Sequence, residues 1–540
     1  MSALDWSILA IYIGLMIFMG YWIGRKQNSQ VDYYVAGRHM PAWQIALSIM
    51  ATQVSAISLI GAPAFVALRT GGGLKWLQYE FAIPIAMIAI MWVMVPIYHR
   101  LKIITIYTYL ENRFGLYLRL VVSGVFLLAR GLGSGVALLA TGIVTAVCLN
   151  WPLPETILLI GVVALIYTTF GGIKADIYSD ILQLFILWGA ALVSIGIIWN
   201  FVSNTGLQFT PDNLTRLKIV EWRVTGLGDG HPFSFWAMLI GGFFLYVSYY
   251  GADQSQSQRL LATASRTEAA HALFLNGLLR FPLVITYLTF GVLLIPFLNT
   301  HPTFAASLKG LPADFLVPQF LIQFVPNGLL GIIIAGIFAA SMSSLDSAMN
   351  SLSAATYHDV LIKIWPSLKK LPNSRQVLLS RLLTIIWGTV ATLFALWVAE
   401  GEETVIELVN KIGSAFYGPI LATFWLGMLT QRTRQGHALV GLMSGVLFNV
   451  LLWKFFSEQI SWLWWNALGF GFTMVVAYTA ARLFPVNSPL SSDLVLTRTD
   501  FKQIFIEEKS KILWLFIAFW AIIISSVVLE RFLAQWRSMP

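Results

Sequence analysis

The chain has 540 residues, 58% of them hydrophobic and 11% charged, with a mean hydropathy of +0.75. A soluble domain carries roughly 25% charged residues, so this composition excludes a soluble enzyme and indicates a polytopic membrane protein. The formal charge of +9 suits basic cytoplasmic loops rather than nucleic acid, and the single cysteine, Cys148, excludes an intrachain disulfide or a cysteine-based metal centre.

A lipid-spanning helix needs about 20 mostly apolar residues. Fourteen stretches meet that need: 6–24, 43–68, 76–98, 117–149, 155–172, 177–201, 235–260, 270–297, 321–350, 378–399, 404–430, 435–453, 460–484 and 511–533. The first is preceded by Asp5 with no basic residue before it, so it reads as a retained span rather than a signal peptide. Basic residues gather in alternate loops: Arg25, Lys26 and Arg38, then Arg100, Lys102, Arg113 and Arg119, then Lys174, Arg259 and Arg266, then Lys363 to Arg381. That alternation places both termini outside. The connectors near 202–234 and 485–510 are too short for a separate catalytic domain. The dipeptide Gly-Lys does not occur, so a P-loop NTPase is excluded. No nucleophile cluster stands out, and the expectation is a non-enzyme with no organic cofactor.

Within the spans lie Glu80, Arg130, Asp180, Asp253, Arg280, Asp346 and Lys411. Ionisable groups inside a membrane are costly and mark functional sites. Long side chains at helix ends instead snorkel to the interface. That alternative fits Arg280 and Arg130 better than Asp180 and Asp346, whose side chains are short.

Span 43–68 carries Thr52, Gln53, Ser55 and Ser58, then Gly61 and Pro63. Pro63 removes a donor and disturbs the preceding turn, which predicts a break that frees carbonyls near Ala51–Val54. Span 235–260 repeats the pattern in FFLYVSYYGADQSQSQR, with Gly251 among polar residues. Interrupted helices in matching positions of two halves point to a transporter's binding site. On span 321–350, Ala340, Ser343, Ser344, Ser347 and Ser351 share one helical face, beside Asp346 and Asn350. Small residues suit a close helix seam, whereas the concentration of oxygen suits a hard cation.

Five segments in this order, ATQVSAISLIG (51–61), YTTFGGIKADIYSDILQ (167–183), DQSQSQR (253–259), AASMSSLDSAMNS (339–351) and GSAFYGPILATFWLG (413–427), resemble the sodium/solute symporter family. The resemblance covers residues 5–455. It implies an all-α LeuT-type fold of two inverted five-helix repeats, about 43–201 and 235–430, within a core of 1–455 followed by flanking helices in 456–540. It also implies sodium-coupled import by alternating access through a multi-pass protein of the plasma membrane, or of the inner membrane in a bacterium. The alternatives are an uncoupled sensor or channel on the same scaffold and a proton-coupled variant.

By motif position the family's principal sodium site falls on the carbonyls of Ala51, Val54 and Ala340 and the hydroxyls of Ser343 and Ser344. A second sodium falls on Asp180, Asp346 and Ser347. Substrate positions fall on Gln53, Ser58, Glu80, Tyr246 and Lys411, with Tyr249 as the inner gate. Ser58, Tyr246, Leu278 and Lys411 stand where hexose-binding members carry their sugar contacts. Expected partners are Na⁺, a small polar solute (sugar or polyol first, then carboxylate or amino acid) and the lipid bilayer, with no nucleic acid. The oligomeric state is left open.

Overall fold

The structure, a computed structural model, describes residues 1–54, 56–205, 209–231, 233–399, 405–486 and 492–535. Side chains of 56–57, 204–205, 212, 405–412, 492 and 534–535 lie outside that description. The described residues form helices and no named strand. The main helices are α1 Ala3–Gly24, α2 Ala42–Gln53, α3 Ala56–Ala67, α4 Leu74–Leu101, α5 Leu116–Leu149, α6 Leu153–Thr205, α7 Gly242–Gly251, α8 Gln254–Leu261, α9 Arg266–Thr300, α10 Leu329–Ala355, α11 Asn373–Ala399, α12 Val405–Leu429, α13 Gln435–Phe456, α14 Trp462–Leu483 and α15 Arg498–Gln535.

The polarity of this molecule is inverted relative to a soluble protein. Ile11, Leu128 and Trp397 stand 71, 68 and 71% exposed, while Gln254, Ser255, Gln256, Ser257, Gln258 and Arg259 are all buried. An apolar exterior is stable against lipid tails, and the polar groups find their partners inside the bundle.

Among the described residues nine helices are long and apolar enough to cross a membrane, or ten with the bent pair α2–α3. The expected fourteen crossings are therefore not established as a count. One reason is that the stretches 155–172 and 177–201 belong to one helical element, α6, interrupted at Gly172. Gly172 has φ +54°, a left-handed conformation that glycine adopts without steric cost.

Both interrupted helices occur where the sequence placed them. Helices α2 and α3 meet at 55°. Val54 takes an extended conformation (φ −84°, ψ 97°) and its N–H makes the last bond of α2, to Met50 O at 3.0 Å. The proposed cause is corrected: Pro63 sits inside α3, two turns beyond the bend. The bend instead follows directly on the polar pair Thr52 and Gln53 at the end of α2, where Val54 leaves the helix. The second interruption separates α7 from α8. A Cβ on Gly251 would collide with Met94 of α4, and Asp253 caps α8 by accepting from Ser255 N at 2.8 Å.

Helix α10 packs along α6, with α5 and α11 beside them. Helix α9 packs against α2, α3 and α4, and α7 against α4 and α12. The two interrupted helices lie between these groups, so their free backbone faces the interior rather than lipid.

Candidate ion and solute site

The junction of α2, α6, α8 and α10 is built from hydroxyls around one carboxylate. Ser343 Oγ donates to Asp180 Oδ1 at 2.5 Å, and Ser48 Oγ donates to Asp180 Oδ2 at 2.5 Å. Ser344 Oγ donates to the Thr52 carbonyl at 3.3 Å and lies 3.5 Å from Ala340 O. That carbonyl is available because α2 ends there: the last carbonyls of a helix have no intrahelical partner. One hydroxyl thus joins the frayed end of α2, flanked by Ala51 and Val54, to the stripe on α10.

Arg259 was counted among the basic loop residues, and the structure places it in the buried centre instead. Its Nη2 lies 2.8 Å from Asp180 Oδ2, its Nε donates to Ser48 Oγ at 2.7 Å, and its Nη1 donates to Ser255 O at 2.7 Å. Nη2 also donates to Ser347 Oγ. Asp180 and Ser347 are thus brought together through a guanidinium. Asp346 turns elsewhere: it accepts from Tyr167 Oη and from Ser347 N, the latter at 2.6 Å. Ser347 Oγ also donates to Asp346 Oδ1 at 3.3 Å, so Ser347 touches Asp346 directly and reaches Asp180 through Arg259. The polar segment 253–259 was the available signal, since so many amides and hydroxyls cannot face lipid.

Next to this junction lies a cavity of about 300 Å³. It is bordered by Thr52, Gln53 and Ser344, by Arg130 and Ser134 of α5, by Tyr249 and Asp253 at the second interruption, and by Tyr417 of α12. Arg130 is in electrostatic reach of Asp253, Tyr249 and Tyr417, while its Nε–H is buried without a partner. Gln53 likewise turns an unpartnered buried Oε1 inward. Tyr249 Oη accepts from Gln256 Nε2 at 3.0 Å. Among the described residues the cavity therefore offers one cation, one anion and several hydroxyls, a set suited to a small polar solute with an acidic group.

Of the expected substrate positions, Gln53 borders the cavity. Glu80 and Tyr246 belong to a separate buried cluster. Arg280 Nε lies 3.2 Å from Glu80 Oε2, and Tyr246 Oη donates to Glu80 Oε1 at 3.3 Å. The snorkelling account of Arg280 is thereby corrected, since its side chain is buried and ion-paired. Rings close over this cluster: Tyr79 and Tyr246 lie 4.6 Å apart by centroid, Trp76 and Phe65 5.3 Å, and Phe65 and Phe233 5.2 Å. Ser58 lies half-buried on α3, away from the cavity. The side chain of Lys411 is outside the described residues. Sequence reasoning left Arg130 open between site and interface; in ARGLGSG Gly133 and Ser134 border the cavity beside it, while Gly131 and Gly135 let α11 pack close.

Interrupted helices that face each other inside a helical membrane bundle, with a solute-sized cavity at their breaks, define a secondary transporter. The sodium:solute symporter family model matches residues 33–445, and the chain belongs to that family. It is 28% identical to the sodium/sialic acid symporter NanT of Aliivibrio fischeri, over 94% of this chain and 99% of that one. It is 27% identical to the sodium-coupled monocarboxylate transporter 1 of Homo sapiens, over 84% of this chain and 73% of that one. The fold is that of a solved Na⁺-coupled sialic acid symporter in a substrate-bound outward-open state, with a TM-score of 0.79 and 24% identity over 91% of this chain and 100% of that one. A nucleobase-cation-symport-1 family transporter in a closed conformation shares it more distantly, with a TM-score of 0.53 and 14% identity over 86% of this chain and 97% of that one. The protein is thus a multi-pass membrane transporter of a Na⁺-coupled family, not an enzyme.

Proposed function

We propose that the chain imports a small organic acid together with Na⁺ by alternating access on a LeuT-type scaffold. The observation that carries this reading is the oxygen-lined junction of the broken α2 with α10, directly beside a cavity holding Arg130. Sodium takes the carbonyls of Ala51, Val54 and Ala340 with the hydroxyls of Ser343 and Ser344. These are hard oxygen donors suited to a hard cation. The ion adds a bridge between two helices already joined by Ser344 Oγ to Thr52 O and by Thr52 Oγ1 to Ser347 Oγ, so its binding favours the form in which they are joined.

The solute reading moves from sugar or polyol to an organic acid. Relatives named for sialic acid and monocarboxylates support that change, as does Arg130, whose guanidinium offers paired donors to a carboxylate. Gln53 and the Tyr249 and Tyr417 hydroxyls contribute neutral contacts, and Tyr249 closes the inner side. Arg259 competes with a second cation for Asp180. A second sodium therefore enters at Asp180, Asp346 and Ser347 only when Arg259 withdraws. The potential supplies about 2.3 kcal/mol per charge per 100 mV, so each added sodium steepens accumulation. The repeats 43–201 and 235–430, the flanking 456–540 and a plasma-membrane or bacterial inner-membrane location belong to the same reading.

The test is uptake of a panel of labelled solutes into proteoliposomes, with Na⁺ exchanged for choline at fixed pH. Uptake of a carboxylate-bearing solute that collapses in choline supports the reading. Uptake that survives choline and follows a pH gradient replaces it with proton coupling, and current without any solute replaces it with a channel.

A further inference from the structure

One turn beyond the Asp180–Asp346 level, the same two helices carry Asp176 and Asn350. Both are fully buried. Asn350 Nδ2 donates to Asp176 Oδ2. The remaining oxygen of each side chain, Asp176 Oδ1 and Asn350 Oδ1, is buried without a hydrogen-bond partner. Leaving a buried acceptor unsatisfied costs about 1–3 kcal/mol, and more for a charged group. Two such oxygens on side chains that hydrogen-bond each other are the donor set of a hard cation: one carboxylate and one amide carbonyl.

Charge points the same way. Asp176 is in electrostatic reach of Asp180 and Arg259, and of the Tyr33 hydroxyl on the short helix Gln30–Val35, which hydrogen-bonds Thr169 O and Thr384 Oγ1. Arg259 is the cation of this neighbourhood, and it is already committed to Asp180, Ser48, Ser255 and Ser347. Asp176, Asp180 and Asp346 thus share one buried region with Arg259, and Arg381 lies within electrostatic reach of Tyr33 beside it.

We propose that Asp176 and Asn350 form a further monovalent-cation station, one step inward of Asp180 on the ion's way to the cytoplasm. The station rests on the sodium-coupled reading above. Its direction follows from the chain. Asp176 lies on the Gly172 side of Asp180, near Lys174 just after the break in α6, and Asn350 lies toward the end of α10 that leads to Lys363. One helical turn is about 5.4 Å, so Asp176 and Asp180 are successive positions on one face of α6. Two stations in series lower the cost of leaving the first, because the ion is never without a carboxylate.

The experiment is equilibrium binding of ²²Na⁺ to the purified full-length protein by scintillation proximity, with choline holding ionic strength constant at fixed pH. Wild type is expected to show a tight and a weak component. Asp176→Asn should raise the half-saturation of the weak component about tenfold or abolish it, leaving the tight component within about twofold. Asp176→Glu should retain both. Asn350→Asp, which adds a carboxylate, should tighten the weak component, and it carries the test alone if Asp176→Asn does not fold. A wild type with the tight component only, or weak binding unchanged in both Asp176→Asn and Asn350→Asp, overturns the station. Loss of both components together in Asp176→Asn also overturns it, since Asp176 would then serve the first site. A wild type that binds no ²²Na⁺ at all overturns the sodium-coupled reading with it.

Discussion

Arg259 Nη2 sits 2.8 Å from Asp180 Oδ2, with both side chains wholly excluded from solvent. The pair joins α8, which begins at the second interrupted helix, to α6. A buried ion pair is not in itself stabilising, but removing one partner strands a charge and costs about 3–5 kcal/mol. Asp180 also accepts from Ser343, one of the proposed sodium ligands. Arginine and a second sodium are therefore alternatives on one oxygen set, and whichever leaves must be replaced.

Replacing Arg259 with Gln should destabilise the protein in choline and make it unusually dependent on sodium. The stranded Asp180 then takes Na⁺ without competition. Thermal unfolding of both forms across a sodium series measures this, and the melting temperature of Arg259→Gln should rise more steeply than that of wild type. Equal sodium responses would show that Arg259 and Na⁺ do not share Asp180.

Ser343→Ala and Ser344→Ala each remove one oxygen from the α2–α10 junction. A hydrogen bond or neutral ligand of this kind contributes about 1 kcal/mol, so the sodium concentration for half-maximal uptake should rise by roughly fivefold in each. Uptake titrated with sodium against choline gives the number. If neither variant shifts it, the ion does not bind at this junction.

Arg130→Gln removes the cation that borders the cavity among the described residues. Uptake of carboxylate-bearing solutes should fall by about 100-fold, in line with the strength of charge-assisted pairs, while sodium binding to the purified protein stays near wild type. Arg130→Lys should recover part of the loss, since it keeps the charge and loses the fork. Transport of acids at the wild-type rate by Arg130→Gln would remove Arg130 from the solute site.

Glu80 and Arg280 should behave as a unit. Each single substitution, Glu80→Gln or Arg280→Met, leaves a buried partner, so the two single losses in melting temperature should exceed the loss of the double variant. Such a double-mutant cycle isolates the pair. Strict additivity would mean that the two side chains do not interact in the native protein.

Sequence patterning carried the architecture a long way for a physical reason. In lipid every backbone group must be satisfied within a helix, so apolar stretches of sufficient length declare themselves. The same rule made the exceptions readable: polar residues at membrane depth in 51–58 and 251–259 marked the two interruptions, and the Ser343–Ser344 stripe declared its own face. These local rules do not extend to partners across the bundle.

Pro63, the obvious helix breaker, lies within α3, because the bend was decided by what α2 meets at α10 rather than by local stereochemistry. Arg259 looked like a loop cation until packing folded it onto Asp180, and Glu80 chose Arg280, 200 positions away in the chain. Which helices are present, and where they are polar, follows from composition along the chain. Which charge neutralises which depends on distances between helices, and those exist only once the bundle has closed.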